Sequence, residues 1–85
     1  MASKTVTVGS TVGLHARPAA IVAEAAEKYD DDIELAVAGE DPVDAASSLM
    51  IMTLGAEFGA QVTITSDNEA AVEEIAALIA SNLDA

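Results

Sequence analysis

The sequence predicts an α+β fold in which helices cover one face of a mainly antiparallel sheet. Three segments alternate apolar and polar residues as strands do, and others carry apolar residues at helical spacing. The elements follow the order β-α-β-β-α-β-α, with no internal repeat and no low-complexity linker. Because 85 residues leave room for one hydrophobic core, we expect a single domain over residues 1–85.

The first part of the chain predicts a strand, a loop and a helix. Residues 4–8 (KTVTV) alternate as a half-buried strand does, and residues 9–13 form a loop with glycine at each end. Residues 16–29 are rich in alanine, with apolar residues at helical spacing. Pro18 belongs in the first turn of this helix, because the N–H that proline lacks has no helical partner there.

The middle of the chain predicts a strand, a tight turn, a short edge strand and a short helix. Residues 33–38 (IELAVA) place Ile33, Leu35 and Val37 on one face of the strand. Residues 39–41 form the turn and residues 42–43 the edge strand, since proline cannot donate to an interior ladder. Residues 47–54 form the short helix, which ends at Gly55.

The last part predicts a strand followed by an amphipathic helix. Residues 60–66 (AQVTITS) form the strand, with Val62 and Ile64 facing inward. Residues 66–69 (SDNE) have the spacing of a capping box, so Ser66 is expected to cap the last helix. The inner face of that helix carries apolar residues at helical spacing: Val72, Ile75, Ala76, Ile79 and Leu83.

Composition excludes several classes of function. A net charge of −12 disfavours binding to nucleic acid or to an anionic membrane surface. We find no apolar segment long enough to span a membrane and no signal-peptide core, so we expect a cytoplasmic protein without membrane insertion. With no cysteine and one histidine, we expect no metal site, and nothing in the sequence indicates another cofactor.

The acidity also suggests the solvent in which this protein works. The chain has 15 acidic and three basic residues, and concentrated salt screens the resulting repulsion between like charges. We therefore favour the hypothesis of a salt-loaded cytoplasm, as in a halophile. The alternative is an ordinary acidic protein.

Residues 13–20 (GLHARPAA) hold the only histidine, the only arginine and one of two prolines. If Pro18 lies in the first helical turn, His15 lies at or beside the N-cap. The unpaired backbone N–H groups of Ala16 and Arg17 then favour an anion near the imidazole, and they favour the neutral, nucleophilic ring. This grouping predicts a phosphohistidine site. The alternative is an ordinary capping histidine beside an arginine in a surface ion pair.

The segments GLHARPAA (13–20), SSLMIMTLG (47–55) and GAQVTI (59–64) together resemble the HPr family. These proteins are the histidine-containing phosphocarriers of the phosphoenolpyruvate:sugar phosphotransferase system, and the resemblance extends over all 85 residues. It implies an open-faced β-sandwich, in which a four-stranded antiparallel sheet carries three helices on one side. This expectation agrees with the element order read from the sequence.

The resemblance also implies a role for each residue of the first motif. His15 would accept a phosphoryl group on Nδ1 from phosphorylated enzyme I and pass it to an EIIA domain, without being an independent enzyme. Arg17, with Ala16 and Pro18 at the helix N-terminus, would bind the phosphoryl group. We expect a monomer. An alternative is a carrier that serves a dihydroxyacetone kinase subunit or a nitrogen-regulatory branch.

The second motif predicts a surface for protein partners. Leu49, Met50, Ile51 and Met52 are consecutive, so a short helix cannot turn all of them inward, and some must be exposed. In the family this region docks both donor and acceptor. The implied docking residues here are Ala20, Ser48, Leu49, Met50 and Met52.

Two further features of the sequence bear on docking and regulation. Glu24 and Glu27 fall on the exposed side of the first helix, where many relatives carry basic or neutral residues, so we expect apolar contact to carry more of the docking. Ser47 matches a regulatory serine that some bacterial relatives phosphorylate. It also suits a helix N-cap, and we favour the cap.

Overall fold

The computed structural model describes residues 2–11 and 13–81 and contains a four-stranded antiparallel sheet covered on one face by helices. The predicted α+β fold and the order β-α-β-β-α-β-α are confirmed. Leu83, predicted to continue the inner face of the last helix, lies outside the described residues. The elements are β1 (Ala2–Thr7), α1 (Ala16–Glu27), β2 (Ile33–Val37), β3 (Val43–Asp44), α2 (Ser48–Thr53), β4 (Gln61–Ser66) and α3 (Glu69–Ala80).

Strand β4 lies inside the sheet, whose order is β1-β4-β2-β3. Alternation along the strands turns Val62, Ile64 and Leu35 toward the helices, where each is fully buried. On the opposite face the hydroxyl groups of Thr5 and Thr63 lie 2.8 Å apart across the β1–β4 pair. The sheet therefore has one apolar face and one polar face, as the alternating sequence predicts.

Helices α1 and α3 pack against each other through small residues, and α3 also contacts strands β1 and β4. Alanine supplies much of the buried surface, which lets the backbones approach closely around a few larger side chains. No helix within the described residues is both long and apolar enough to cross a membrane. The buried residues of the two helices are Pro18, Ala19, Val22, Ala23, Ala25 and Ala26 in α1 and Ala71, Val72, Ile75, Ala76 and Ile79 in α3.

Tyr29 links the end of α1 to α3. The helix ends at Glu27, two residues before the predicted limit, and Tyr29 is half-buried just beyond it. Its hydroxyl donates a hydrogen bond of 2.5 Å to Oε1 of Glu74. This bond, burial and the negative charge of Glu74 together raise the pKa of Tyr29 above its ordinary value. The aromatic residue thus stabilises the helix pair through its polar end as well as its ring.

The predicted capping box at the start of α3 is wrong. Asn68, rather than Ser66, is the N-cap, and its side-chain oxygen accepts hydrogen bonds from the N–H groups of Ala70 and Ala71 at 3.0 and 3.2 Å. Ser66 is the last residue of β4 and pairs with both neighbouring strands, so the chain has not yet left the sheet there. The helix therefore begins at Glu69, which cannot take the third position of a box.

Candidate functional site

His15 is the N-cap of α1, and its side chain takes no part in capping. Its backbone is extended, with φ −85° and ψ −163°, and its carbonyl accepts the N–H of Ala19 at 2.8 Å. The imidazole makes no capping hydrogen bond and is exposed. The backbone of His15 therefore starts the helix while its ring stays accessible for chemistry.

The first turn of α1 has the positive electrostatic potential that favours an anion. Ala16 and Arg17 are exposed first and second residues of the helix, and their N–H groups have no partner within the helix. Pro18 follows as the third residue, buried, with no N–H to leave unpaired. This turn contains no acidic residue, although the chain has 15 of them. The positive end of the helix and the Arg17 guanidinium thus remain available to an external anion.

Gly13 and Leu14 fix the backbone that leads into His15. Leu14 is buried, and its N–H donates to the carbonyl of Ala56 at 2.8 Å. Gly13 has φ +76°, and a Cβ added there would lie 2.6 Å from the Ala56 oxygen and 2.8 Å from Cα of Glu57. Only glycine fits so close an approach in this conformation. The loop before His15 is therefore pressed against the segment that follows α2.

The predicted docking residues are split between two adjacent helices. Helix α2 packs beside α1, and its side chains Leu49 and Met50 are 72% and 43% exposed, whereas Ile51 is fully buried. Met52 and Ser48 are partly buried, and Ala20 is exposed on α1. The expectation that some of the four consecutive apolar residues stay exposed is confirmed. Leu49 and Met50 are therefore exposed on α2, which lies beside α1, the helix that His15 caps.

Ser47 is the N-cap of α2, as favoured from the sequence. Its hydroxyl accepts the N–H of Met50 at 3.3 Å, and the residue is partly exposed. The capping role is therefore confirmed by the geometry. Phosphorylation of Ser47 stays a prediction.

Phe58 is an exposed residue that the sequence patterns do not predict. It is the only phenylalanine in the chain and is 63% exposed, in the turn between α2 and β4. The turn packs next to the loop that precedes His15, through the contacts of residues 56 and 57. The sequence does contain a signal for it, because a large apolar residue lies directly before Gly59 and residues in turns are usually polar.

The fold and this helix terminus define a class of open-faced α+β proteins that carry an exposed histidine at a helix N-terminus. The chain belongs to the HPr family, because the family model described as "PTS HPr component phosphorylation site" matches residues 2–81. It is 42% identical to the phosphocarrier protein HPr of Streptomyces coelicolor, covering 99% of this chain and 94% of that protein. It is 41% identical to HPr of Haloferax volcanii, covering 88% and 85%.

Solved structures of HPr proteins share the fold. The HPr of Bacillus anthracis aligns with a TM-score of 0.85 and 36% identity, covering 92% of this chain and 95% of that structure. An HPr of Thermoanaerobacter tengcongensis aligns with a TM-score of 0.90 and 31% identity, covering 100% and 98%. The family and its open-faced sandwich are therefore confirmed, and they support a phosphocarrier role in a phosphotransferase system.

Proposed function

We propose that this chain carries a phosphoryl group on Nδ1 of His15, accepting it from phosphorylated enzyme I and passing it to an EIIA domain. The observation that supports this most directly is the exposed imidazole of His15 at an acid-free helix N-terminus, with no capping role for the ring. In this proposal the chain is a carrier rather than an independent catalyst, and it acts as a cytoplasmic monomer in phosphoenolpyruvate-dependent sugar uptake.

The proposed transfer needs a neutral nitrogen nucleophile and a place for negative charge. Nδ1 of His15 attacks the phosphorus atom, a P–N bond forms, and the bond to the donor breaks with its electrons going to the donor. The phosphoryl oxygens then meet the N–H groups of Ala16 and Arg17 and the guanidinium of Arg17. In the second transfer the same P–N bond breaks as a nucleophile of the acceptor attacks. Pro18 contributes by fixing the backbone of the first turn.

Docking is proposed to use the exposed apolar side chains of α2. Leu49 and Met50 offer contact area without charge, and a methionine adapts its shape to different partners. Ala20 leaves room for a partner beside Arg17, and Ser48 and Met52 complete the surface. One surface of this kind would meet the donor and the acceptor in turn.

The direct test mixes the protein with its own enzyme I and phosphoenolpyruvate, and measures the mass and acid stability of the product. We expect one acid-labile phosphoryl group per chain, absent in His15→Ala. Arg17→Ala should fold normally but accept the phosphoryl group about 10- to 100-fold more slowly, because a charge-assisted contact is lost. Lys28→Ala is the matched control, since it removes a cation at the far end of α1 and should transfer at the wild-type rate. An acid-stable phosphoester, or labelling that persists in His15→Ala, would refute the proposal.

A further inference from the structure

We propose that Phe58 is a docking residue for the protein that exchanges the phosphoryl group with His15, and that this partner presents an apolar pocket to its ring. The inference rests on the proposed function and adds a contact outside α2. It follows from three properties of Phe58: its exposure, its position in a turn that does not require it, and the attachment of that turn to the His15 loop.

The exposure of Phe58 is costly for an isolated chain. A phenylalanine side chain gains more from burial than most residues, yet this one is 63% exposed. The large exposed apolar side chains among the described residues are Leu49, Met50 and Phe58, and all three fall within residues 49–58. Their concentration in one segment, beside the site, indicates a surface for association rather than scattered exposure.

A second turn in the same molecule shows that the backbone does not need an aromatic residue. In residues 57–60 the N–H of Ala60 donates to the carbonyl of Glu57 at 2.9 Å, and Gly59 has φ +88°. In residues 37–40 the corresponding N–H–carbonyl bond is 3.1 Å long, and Gly39 has φ +82°. The residue before the glycine is exposed in both turns, but it is Phe58 in one and Ala38 in the other. The ring therefore serves something other than the turn.

The turn that bears Phe58 is tied by backbone hydrogen bonds to the segment leading to His15. The N–H of Gly59 donates to the carbonyl of Val8 at 3.1 Å, and the N–H of Val8 donates to the carbonyl of Ala60 at 2.8 Å. Ala56, two residues before Phe58, accepts the N–H of Leu14 at 2.8 Å. Because these bonds hold the turn against Val8 and Leu14, the backbone of Phe58 is fixed relative to the site. Binding through this residue therefore costs little backbone entropy.

A protein partner with an apolar pocket fits these observations better than a second copy of the chain. Three exposed apolar side chains offer little apolar surface, whereas permanent dimers bury large and mostly apolar surfaces. A carrier must also leave one partner before it meets the next, which favours a few well-placed anchors. With a net charge of −12, docking through an apolar ring remains effective in concentrated salt, which screens charge contacts.

The test compares transfer from phosphorylated enzyme I to wild type and to Phe58→Ala, with the carrier as the varied substrate. We expect KM to rise about tenfold with kcat changed by less than about twofold, as for the loss of one aromatic anchor. The ratio of the two KM values should persist when KCl is raised. Unfolding by urea should be unchanged, because the ring is exposed in the free protein.

The matched control uses the two similar turns. The double variant Ala38→Phe with Phe58→Ala restores the number of exposed aromatic rings but places the ring on the β2–β3 turn, so its KM should stay as high as that of Phe58→Ala. An unchanged KM in Phe58→Ala, or recovery in the double variant, would overturn the inference. So would a concentration-dependent dimer that disappears in Phe58→Ala while transfer is unaffected, since a second copy would then be the occupant. Failure of wild type to become phosphorylated on His15 would instead overturn the proposed function.

Discussion

At the scale of single residues, Gly13 shows how a position outside the reacting groups sets the geometry of the site. It combines φ +76° with a backbone contact so close that a Cβ would lie 2.6 Å from the Ala56 oxygen. The neighbouring Leu14 is held by its hydrogen bond to the same carbonyl. The orientation of His15 therefore depends on the packing of two loops that are distant in sequence.

We predict that Gly13→Ala destabilises the protein and slows phosphoryl transfer. The positive φ costs about 1–2 kcal/mol for alanine, and displacement of the facing backbone adds about 1–3 kcal/mol. The free energy of unfolding should thus fall by about 2–5 kcal/mol in a urea titration. Transfer at His15 should slow even where the variant is fully folded, because the loop before the ring has moved.

Gly39→Ala provides the matched control for that prediction. Gly39 has φ +82°, but an added Cβ would meet nothing within 4 Å. Only the backbone strain of about 1–2 kcal/mol should appear, with transfer unchanged. Equal losses in the two variants would show that the contact with residues 56 and 57 does not matter.

Residue identity alone predicted part of this site. The rarity of histidine and arginine, together with a helix-starting proline, is enough to predict His15 at the helix end, where the structure has it. The contact of Gly13 with Ala56 was beyond reach, because it joins loops more than 40 residues apart. Phe58 was missed for a similar reason: its exposure depends on which turns pack together, and periodicity does not report this.

At the scale of secondary structure, the helix N-termini show where the local sequence determines the capping residue and where tertiary structure determines it. Ser47 precedes α2 in a segment with no competing strand, and it caps the helix as expected. Before α3, both Ser66 and Asn68 are good caps by residue type. The sheet decides between them, because Ser66 pairs with both neighbours of β4 and Asn68 is then the first residue free to cap. The sequence pattern predicts helix α3 but does not give the residue at which it begins.

We predict that Ser47→Ala destabilises helix α2 and with it the proposed docking surface. Helix α2 has six residues and depends on the hydrogen bond that the Ser47 hydroxyl accepts from Met50 at 3.3 Å. Its loss should lower the free energy of unfolding by about 0.5–2 kcal/mol and raise amide hydrogen exchange in the first turn of α2. Enzyme I should then bind the variant more weakly.

Two further substitutions serve as controls for the Ser47→Ala prediction. Ser47→Asn retains a capping oxygen and should stay close to wild type. Ser48→Ala changes the first helical residue, leaves the cap in place and should not alter hydrogen exchange. Full stability of Ser47→Ala would mean that the capping bond contributes nothing, and would make modification the better explanation of a serine at this position.

At the scale of the whole molecule, the first turn of α1 lacks acidic residues although the chain as a whole is strongly acidic. The ion pair between Lys4 and Glu73, 2.8 Å long, joins β1 to α3, but both side chains are about half or more exposed and the pair adds little stability. Arg17 lies at the helix N-terminus, where it adds to the positive potential. The remaining surface is strongly acidic, with a net charge of −12 for the chain. Carboxylate repulsion should therefore oppose folding at low salt more than it does in most proteins of this size.

We predict that the free energy of unfolding rises with KCl concentration, and that most of the gain is reached by about 1 M, where the Debye length has fallen to about 3 Å. Urea titrations at a series of KCl concentrations measure this directly. A variant with Asp30→Asn, Glu40→Gln and Asp41→Asn removes three exposed carboxylates and should be more stable at low salt, with a flatter dependence on KCl. If salt acted through apolar burial alone, this variant would keep the wild-type slope. Full stability of the wild type without added salt would contradict both the repulsion argument and the hypothesis of a salt-loaded cytoplasm.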